Sequence, residues 1–117
     1  MKIFISVPMR GRTDEEIAEA IENAKGELVI MGSENNETVE YVDNFVNPPL
    51  DEGVKNDPMW CLGGAIQKMS TCDAIYFCPG WDTARGCLIE KVVASVYGLM
   101  RLYKDEAGVI YQESVEE

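Results

Sequence analysis

Apolar positions along the chain alternate between short continuous runs and stretches with helical spacing. Lys2–Val7 is a run rich in β-branched and aromatic side chains, which is typical of a buried strand. Apolar residues then recur every three or four positions over Ile17–Leu28, which predicts an amphipathic helix. Thr13 and Glu16 precede this helix with the spacing of a capping box, and Gly32 is a suitable end.

Two further strand-and-helix pairs follow. Strands are predicted near Tyr41–Val46 and over Asp73–Cys78. Helices are predicted from the Asp57-Pro58 N-terminus to about Thr71, and from about Gly86 to Tyr97. The apolar faces predicted for them comprise Met59, Leu62, Ile66 and Met69 in the first and Ile89, Val93, Val96 and Met100 in the second. Two short strands, Leu99–Tyr103 and Val109–Gln112, complete the prediction.

This order of elements predicts the fold class. Strands that are apolar throughout and alternate with helices favour a parallel sheet covered on both faces. We therefore expect an α/β fold, a single doubly wound sheet of four to five parallel strands of the flavodoxin or Rossmann type. The 117 residues fit one domain, spanning 1–117, and are too few for two.

The charge balance narrows the classes of function. The chain has 10 basic and 21 acidic residues, a formal net charge of −11. Because such a surface repels phosphate backbones, we expect no nucleic-acid partner, although a local pocket can still hold a small nucleotide. The sequence has no histidine, which excludes Ser-His-Asp and Cys-His nucleophile systems and His-ligated metal sites.

The four cysteines contain no C-x-x-C pair, so a zinc knuckle has little support. Their even number permits disulfides, but the N-terminus shows no signal peptide, which favours free thiols packed as small apolar groups. No apolar run approaches the roughly 18 residues of a membrane span. We expect a cytoplasmic protein with no membrane partner.

Two loops carry the candidate chemistry, Pro8–Arg12 and Pro79–Arg85. Each leaves a predicted strand and leads into a helix N-terminus. Ligands of open parallel sheets bind beyond the carboxyl ends of the strands, and helix N-termini suit anions. Arg10, Arg12 and Arg85 lie on these loops in an acidic chain, which favours an anion site. Surface arginines that offset local acidity are an equal alternative.

Glu90 follows Gly86 by four positions, near the start of the third predicted helix. Helical side chains lean towards the N-terminus, so this carboxylate is expected to point back at the pocket mouth. There it could attack the anomeric carbon of a sugar or stabilise an oxocarbenium-like transition state. The residues alone favour the alternative, an ordinary glutamate paired with a cation such as Lys91.

Other candidates are weaker. Asp73 begins its strand, at the opposite end of the sheet, and is expected to be structural. Asp82 could bind a hydroxyl or a base edge, but loop aspartates are more often turn or cap residues. Trp81 is the better candidate for stacking on a ring, whereas Trp60 is expected in the core.

Three stretches resemble the signatures of the nucleoside 2-deoxyribosyltransferase-like superfamily, in particular a branch of small bacterial and phage proteins. They are KIFISVPMRG at Lys2–Gly11, CDAIYFCPGW at Cys72–Trp81 and RGCLIE at Arg85–Glu90. The resemblance extends from residue 2 to about residue 100, and the segment Ser33–Asp57 matches poorly.

The resemblance implies a doubly wound α/β domain, often a homo-oligomer whose neighbouring subunit completes the site. It implies that Glu90 is a nucleophile that displaces the base from C1′ of a deoxyribonucleoside, and that neither metal nor organic cofactor is needed. The residues expected to bind the nucleoside or nucleotide are Ser6, Pro8, Met9, Arg10, Gly11, Pro79, Gly80, Trp81, Asp82, Ala84, Arg85 and Gly86.

The chain departs from the active relatives at three positions. Phe4 stands where they carry a tyrosine that hydrogen-bonds the glutamate, Ala65 where they carry an aspartate, and Ala84 where they carry serine or aspartate. Loss of one positioned donor can slow catalysis by about 10²–10³. Two functions stay open: N-glycosyl transfer or hydrolysis by Glu90, and a non-catalytic module that sequesters or senses a nucleotide.

Overall fold

The computed structural model describes residues 1–34, 38–44 and 58–113. The elements in chain order are β1 (Lys2–Ser6), α1 (Asp14–Glu34), β2 (Glu40–Asp43), α2 (Pro58–Met69), β3 (Ala74–Phe77), a 3-10 turn (Trp81–Thr83), α3 (Arg85–Val96), β4 (Met100–Lys104) and β5 (Ile110–Gln112). The predicted alternation of strands and helices is confirmed for these elements. The predicted end of the second strand at Val46 and the predicted cap Asp57 lie outside the described residues.

The five strands form one sheet in the order β2-β1-β3-β4-β5. The pairs from β2 to β4 are parallel, but β5 runs antiparallel to β4. The α/β class is confirmed, and the expectation of a wholly parallel sheet is wrong at β5. Residues 105–109 are too few for the crossover that a parallel pair requires. They form a tight turn in which the Gly108 N–H donates to the Asp105 carbonyl at 3.0 Å and Gly108 has a φ of 84°.

One face of the sheet is covered by α1. The helix begins with the predicted capping box: the Glu16 N–H donates to Thr13 Oγ1 at 3.1 Å, and the Thr13 N–H donates to Glu16 Oε1 at 3.2 Å. Residues spaced along one side of α1 pack against the strands and are buried, namely Ile17, Ile21, Ala24, Leu28 and Gly32. Their partners in the sheet include Ile3, Ile5, Val7, Ala74 and Tyr76.

The other face is covered by α2 and α3 through smaller side chains. Phe4, Ile75, Phe77 and Tyr103 from the strands pack against Ala65 and Met69 of α2 and Cys87 and Ala94 of α3. The predicted apolar faces are therefore wrong in part: Met59 is 81% exposed and Val96 72% exposed. Trp60, expected in the core, is 59% exposed. Large aromatic side chains from the strands fill this layer, so the helices contribute small residues to it.

The carboxyl ends of β1, β2 and β3 meet at one edge of the sheet. From β1 the chain first joins β2 on one side and later β3 on the other, so the connections diverge at β1. Such a divergence leaves a crevice at this edge. At the opposite edge Asp73 has a structural role, as expected, because its Oδ2 accepts the Lys2 N–H at 2.8 Å. In the described part of the chain, no helix is long and apolar enough to cross a bilayer.

Candidate functional site

A cavity of about 330 Å³ lies at the carboxyl edge of β1, between α2 and α3. Its walls come from four places in the chain: the end of β1 and the loop after it, the residue after β2, the first half of α2, and the start of α3. The lining residues are Phe4, Ile5, Ser6, Val7, Pro8, Met9, Arg10, Asn44, Pro58, Cys61, Leu62, Ala65, Thr83, Ala84, Arg85, Gly86, Cys87 and Glu90.

Glu90 is the buried carboxylate of this cavity. It lies on the inner side of α3, between the buried Cys87 and Ala94, and only 7% of its surface is exposed. The Ser6 hydroxyl, at the end of β1, donates to Glu90 Oε1 at 2.6 Å. This distance is typical of a hydrogen bond to a charged carboxylate. The alternative of an ordinary surface glutamate is therefore wrong.

The second oxygen of Glu90, a residue that lines the cavity, remains accessible. No group of the described residues donates to Oε2, and none of their fully buried polar side-chain atoms lacks a partner, so this oxygen is not sealed in the protein. Burial raises the pKa of Glu90 to about 7, and the hydrogen bond from Ser6 acts in the opposite direction. Near neutral pH the site thus holds both the ionised and the protonated carboxyl group.

Two arginines lie at the rim. Arg10, from the loop after β1, and Arg85, at the start of α3, are both exposed. Neither has a hydrogen bond or an ion pair with any residue of the segments 1–34, 38–44 and 58–113. The first turn of α3 also has no side-chain cap, because the residue before it is Ala84. Two free guanidinium groups and open helix N–H groups make this rim suitable for an anion.

Asn44 supplies an amide to another part of the wall. Its Nδ2 donates to the Cys61 carbonyl at 3.0 Å, and Lys68 Nζ donates to its Oδ1 at 2.7 Å. These partners fix which end of the amide is donor and which is acceptor. Burial lowers the pKa of Lys68, and the nearby Asp43 opposes this shift.

Part of the wall is apolar. Phe4, Leu62, Ala65 and Ala84 line the cavity together. These side chains can contact a flat ring but can supply no hydrogen bond to it. The orientation of such a ring would depend on polar lining residues such as Asn44 and Thr83 and on backbone groups.

The structure brings together eight of the predicted site residues around one cavity: Ser6, Pro8, Met9, Arg10, Ala84, Arg85, Gly86 and Glu90. Five others are not among its lining residues: Gly11, Pro79, Gly80, Trp81 and Asp82. The first predicted loop reaches the cavity through its first three residues, and the second loop reaches it through its last three.

Trp81 does not present its ring to the cavity. Its ring centroid lies 5.5 Å from that of Phe77 and 5.2 Å from that of Tyr103, and Lys91 Nζ lies 4.9 Å from the ring. Gly80, with a φ of 93°, leaves room for Arg12, since a Cβ there would lie 2.6 Å from Arg12 Nη2. The second loop thus packs against Arg12 of the first, and Arg12 does not line the cavity.

Several lining residues were missed by the sequence prediction, among them Asn44, Cys61, Leu62, Thr83 and Cys87. Asn44 directly follows the carboxyl end of a strand. The rule that ligands bind beyond the carboxyl ends of parallel strands could therefore have identified it. The prediction placed that strand end at Val46, whereas β2 ends at Asp43. Of the lining residues of α2, only Ala65 was singled out from the sequence as a site position, because the approach of this helix to β1 is a matter of tertiary packing.

The cysteines form no disulfide bonds with one another. All four are free thiols, and among the described residues no group of cysteine and acidic side chains could hold a metal ion. Burial raises the pKa of Cys87 to about 11 and that of Cys78 to about 12, so both are protonated at neutral pH.

Comparison with protein families gives one match: a family model described as a domain of unknown function, DUF4406, matches residues 1–103. The chain belongs to the DUF4406 family. No curated protein and no solved structure matches it.

The DUF4406 match includes every residue that lines the cavity, from Phe4 to Glu90. It ends within β4, so the antiparallel β5 lies beyond it. The candidate site is thus part of the family domain and does not depend on residues specific to the end of this chain.

Proposed function

We propose that this DUF4406 protein binds a nucleoside or nucleotide in the cavity and transfers or hydrolyses its N-glycosidic bond, with Glu90 as nucleophile. The observation that carries the proposal is the state of Glu90: a buried carboxylate that lines the cavity, with one oxygen held by Ser6 and the other without a donor among the described residues. The resemblance to the nucleoside 2-deoxyribosyltransferase-like superfamily supports the same assignment. The strand order is that of flavodoxin-like sheets, which bind ligands at this edge.

In the proposed reaction Glu90 Oε2 forms an ester bond to C1′ of the sugar while the bond from C1′ to the base nitrogen breaks. The electron pair of that bond leaves with the base, which takes a proton from water. A water molecule or a second base then attacks C1′ and releases the carboxylate. The site residues supply the nucleophile and its position, and the reaction requires neither an oxidant nor a reductant.

The cavity can accommodate each part of such a ligand. Its volume of about 330 Å³ is within the range of small-molecule sites. Arg10 and Arg85 suit a 5′-phosphate at the rim, and the apolar wall with Phe4 and Leu62 suits a base. These placements favour a nucleoside monophosphate over an uncharged nucleoside.

A non-catalytic nucleotide-binding module is the second candidate. Phe4, Ala65 and Ala84 give the cavity apolar walls where active relatives carry groups that hold the nucleophile and the substrate. The pKa of about 7 for Glu90, raised by burial, also leaves much of it protonated and unable to attack carbon at neutral pH. In this function the cavity would bind a nucleotide and leave its glycosidic bond intact.

Incubation with each deoxynucleoside and its 5′-monophosphate tests the two functions, with free base followed by chromatography. Catalysis predicts base release that disappears in Glu90→Ala and persists in Asp82→Ala, which removes an exposed carboxylate outside the cavity. Thermal stabilisation by a nucleotide without base release, retained in Glu90→Gln, would overturn the enzyme and support the binding module.

We further propose that the protein forms a homo-oligomer, a dimer or larger, through the outer side of α3. Leu88, Val92, Val96 and Tyr97 at and just beyond this helix are 42–83% exposed. The only acidic residue of α3 is the buried Glu90, so two copies of a chain with net charge −11 can approach here without facing carboxylates. Light scattering after size exclusion should show an oligomer that Val92→Lys converts to monomer, and a wild-type monomer would contradict this.

From the four free cysteines we also infer a reducing compartment, the cytoplasm.

A further inference from the structure

At the end of β1, Ser6 donates a hydrogen bond to Glu90, and the tyrosine that the resemblance would lead one to expect in this role is absent. Phe4 stands where the resembled enzymes place a tyrosine that binds the catalytic carboxylate, and a phenyl ring has no donor. Alternate residues of a strand point to the same face, so Ser6 lies on the same side of β1, two residues further along the chain. Its hydroxyl, in a residue only 1% exposed, reaches Glu90 Oε1 at 2.6 Å.

We propose that Ser6 is the positioning residue of the site, holding one oxygen of Glu90 so that the other is aimed at the reacting carbon. This inference rests on the proposed function. A serine hydroxyl has a single proton, and here Glu90 receives it. Ser6 is thus a residue that acts through Glu90 and need not touch the sugar itself.

Both partners of this hydrogen bond lie on rigid elements. The Ser6 carbonyl accepts the Cys78 N–H at 2.9 Å, and Ser6 pairs with Phe77 across the ladder between β1 and β3. Glu90 is fixed by α3, whose neighbouring inner residue Cys87 is buried against the sheet. A carboxylate held between a strand and a helix keeps its orientation better than one on a loop.

The side chain of Cys87 beside the pair cannot take the place of Ser6. Cys87, the other polar side chain beside Ser6, is a protonated thiol at neutral pH, because burial raises its pKa to about 11. It cannot replace the hydroxyl as a strong donor to the carboxylate. Loss of the Ser6 hydroxyl would therefore leave Glu90 Oε1 with no partner among the described residues.

The first test measures the pair without relying on activity. Glu90 is titrated by carbon-13 NMR of its side-chain carboxyl in the wild type, in Ser6→Ala and in Ser70→Ala. Ser70→Ala is the matched control, because its hydroxyl donates to the Gln67 carbonyl at the far end of α2. We expect the midpoint of Glu90 to rise by about one pH unit or more in Ser6→Ala only, since the lost bond favoured the charged form.

The second test measures base release from the preferred substrate. Ser6→Ala should lower kcat by about 10- to 100-fold with KM changed less than about twofold. The pH at which the activity of Ser6→Ala reaches half of its maximum should be higher than in the wild type, by the same interval as the NMR midpoint. A role in packing alone would reduce stability without moving either pH profile. If Ser6→Ala does not fold, Ser6→Cys, of similar size and a much weaker donor, takes its place.

The outcomes separate the two proposals. An active wild type whose Glu90 midpoint and kcat are unchanged in Ser6→Ala overturns the role of Ser6 and leaves the proposed function intact. A wild type that releases no base overturns the enzyme, and with it the positioning of a nucleophile, even where the NMR midpoint shifts. An active wild type with both changes supports the two together.

Discussion

The two faces of the sheet differ in how completely helices cover them. On one face the 21 residues of α1 bury a continuous apolar stripe, and Ile3 and Leu28 have no exposed surface. On the other face two helices of 12 residues each contact the sheet through small side chains such as Ala65 and Ala94. The second face contains the cavity, and Glu90 is buried beside it.

This difference shows how one short strand serves two purposes. In β1, Ile3 and Ile5 pack under α1, while Phe4 and Ser6 face the helices around the cavity. The face with α1 supplies hydrophobic stabilisation without a cavity, because side chains such as Ile3 and Leu28 are fully removed from water. The opposite face can then keep a carboxylate whose burial destabilises the fold.

The largest expected effect contrasts matched leucines on the two faces. Leu28→Ala should lower the free energy of unfolding by about 2–5 kcal/mol, because it leaves a void in a closed core. Leu62→Ala, at the half-buried cavity wall, should lower it by less than about 1 kcal/mol, since water already reaches that side chain. Urea unfolding measures both. Equal losses would show that the cavity face is packed as tightly as the other.

The next effect concerns the pH dependence of stability. The folded-state pKa of Glu90, raised by burial from 4.5 to about 7, means that the native state binds this proton more tightly than the unfolded state. The carboxyl group therefore makes stability fall as pH rises from about 4.5 to 7, after which its contribution is constant.

Glu90→Gln should remove this contribution. The free energy of unfolding of the variant, relative to wild type, should rise by about 3 kcal/mol between pH 4.5 and pH 8. Asp82→Asn, which removes an exposed carboxylate outside the cavity, is the control for loss of a carboxylate elsewhere in the protein. A difference for Glu90→Gln that does not change with pH would show that Glu90 is not buried in the folded protein.

A smaller effect is expected at the rim. Arg10→Gln or Arg85→Gln should weaken binding of a nucleoside 5′-monophosphate by about tenfold, because each removes one charge-assisted contact to phosphate. Binding of the same nucleoside without phosphate should change little. Calorimetry at low salt compares the ligands, with Lys25→Gln as the control for loss of a distant charge. Equal losses of affinity for both ligands would show that the rim does not recognise the phosphate.

The smallest effect is expected at Asn44. Lys68→Met keeps the length of the side chain but removes the donor to Asn44 Oδ1. The side-chain amide of Asn44 can then rotate by half a turn. The ratio of the affinities for two nucleotides that differ only in the base should fall by about threefold. Competition binding with two nucleotides that differ only in the base measures this. Unchanged discrimination would show that Asn44 does not read the base.

The sequence allowed much of the fold to be predicted where local signals suffice. The capping box of Thr13 and Glu16 placed the start of α1, and the apolar run of β1 placed a buried strand, because both depend on neighbouring residues. The direction of β5 was also readable, since residues 105–109 are too short for a crossover, but the regular alternation of elements outweighed that signal. The predicted apolar side of α3 was wrong in part: Val93 packs against the core, but Cys87 and Ala94, which carry little hydrophobic signal, were missed.

For the site, the sequence by itself determined that the loops after two strands lead into helices. It also determined that Glu90 lies about one helical turn after the end of the second loop. Only the tertiary structure decided that Ser6 binds Glu90, that Asn44 joins the same cavity and that Trp81 turns away from it. These contacts join residues up to 84 positions apart. Their geometry depends on how closely α2 and α3 approach the sheet, which is decided by packing across the whole layer and by no local pattern.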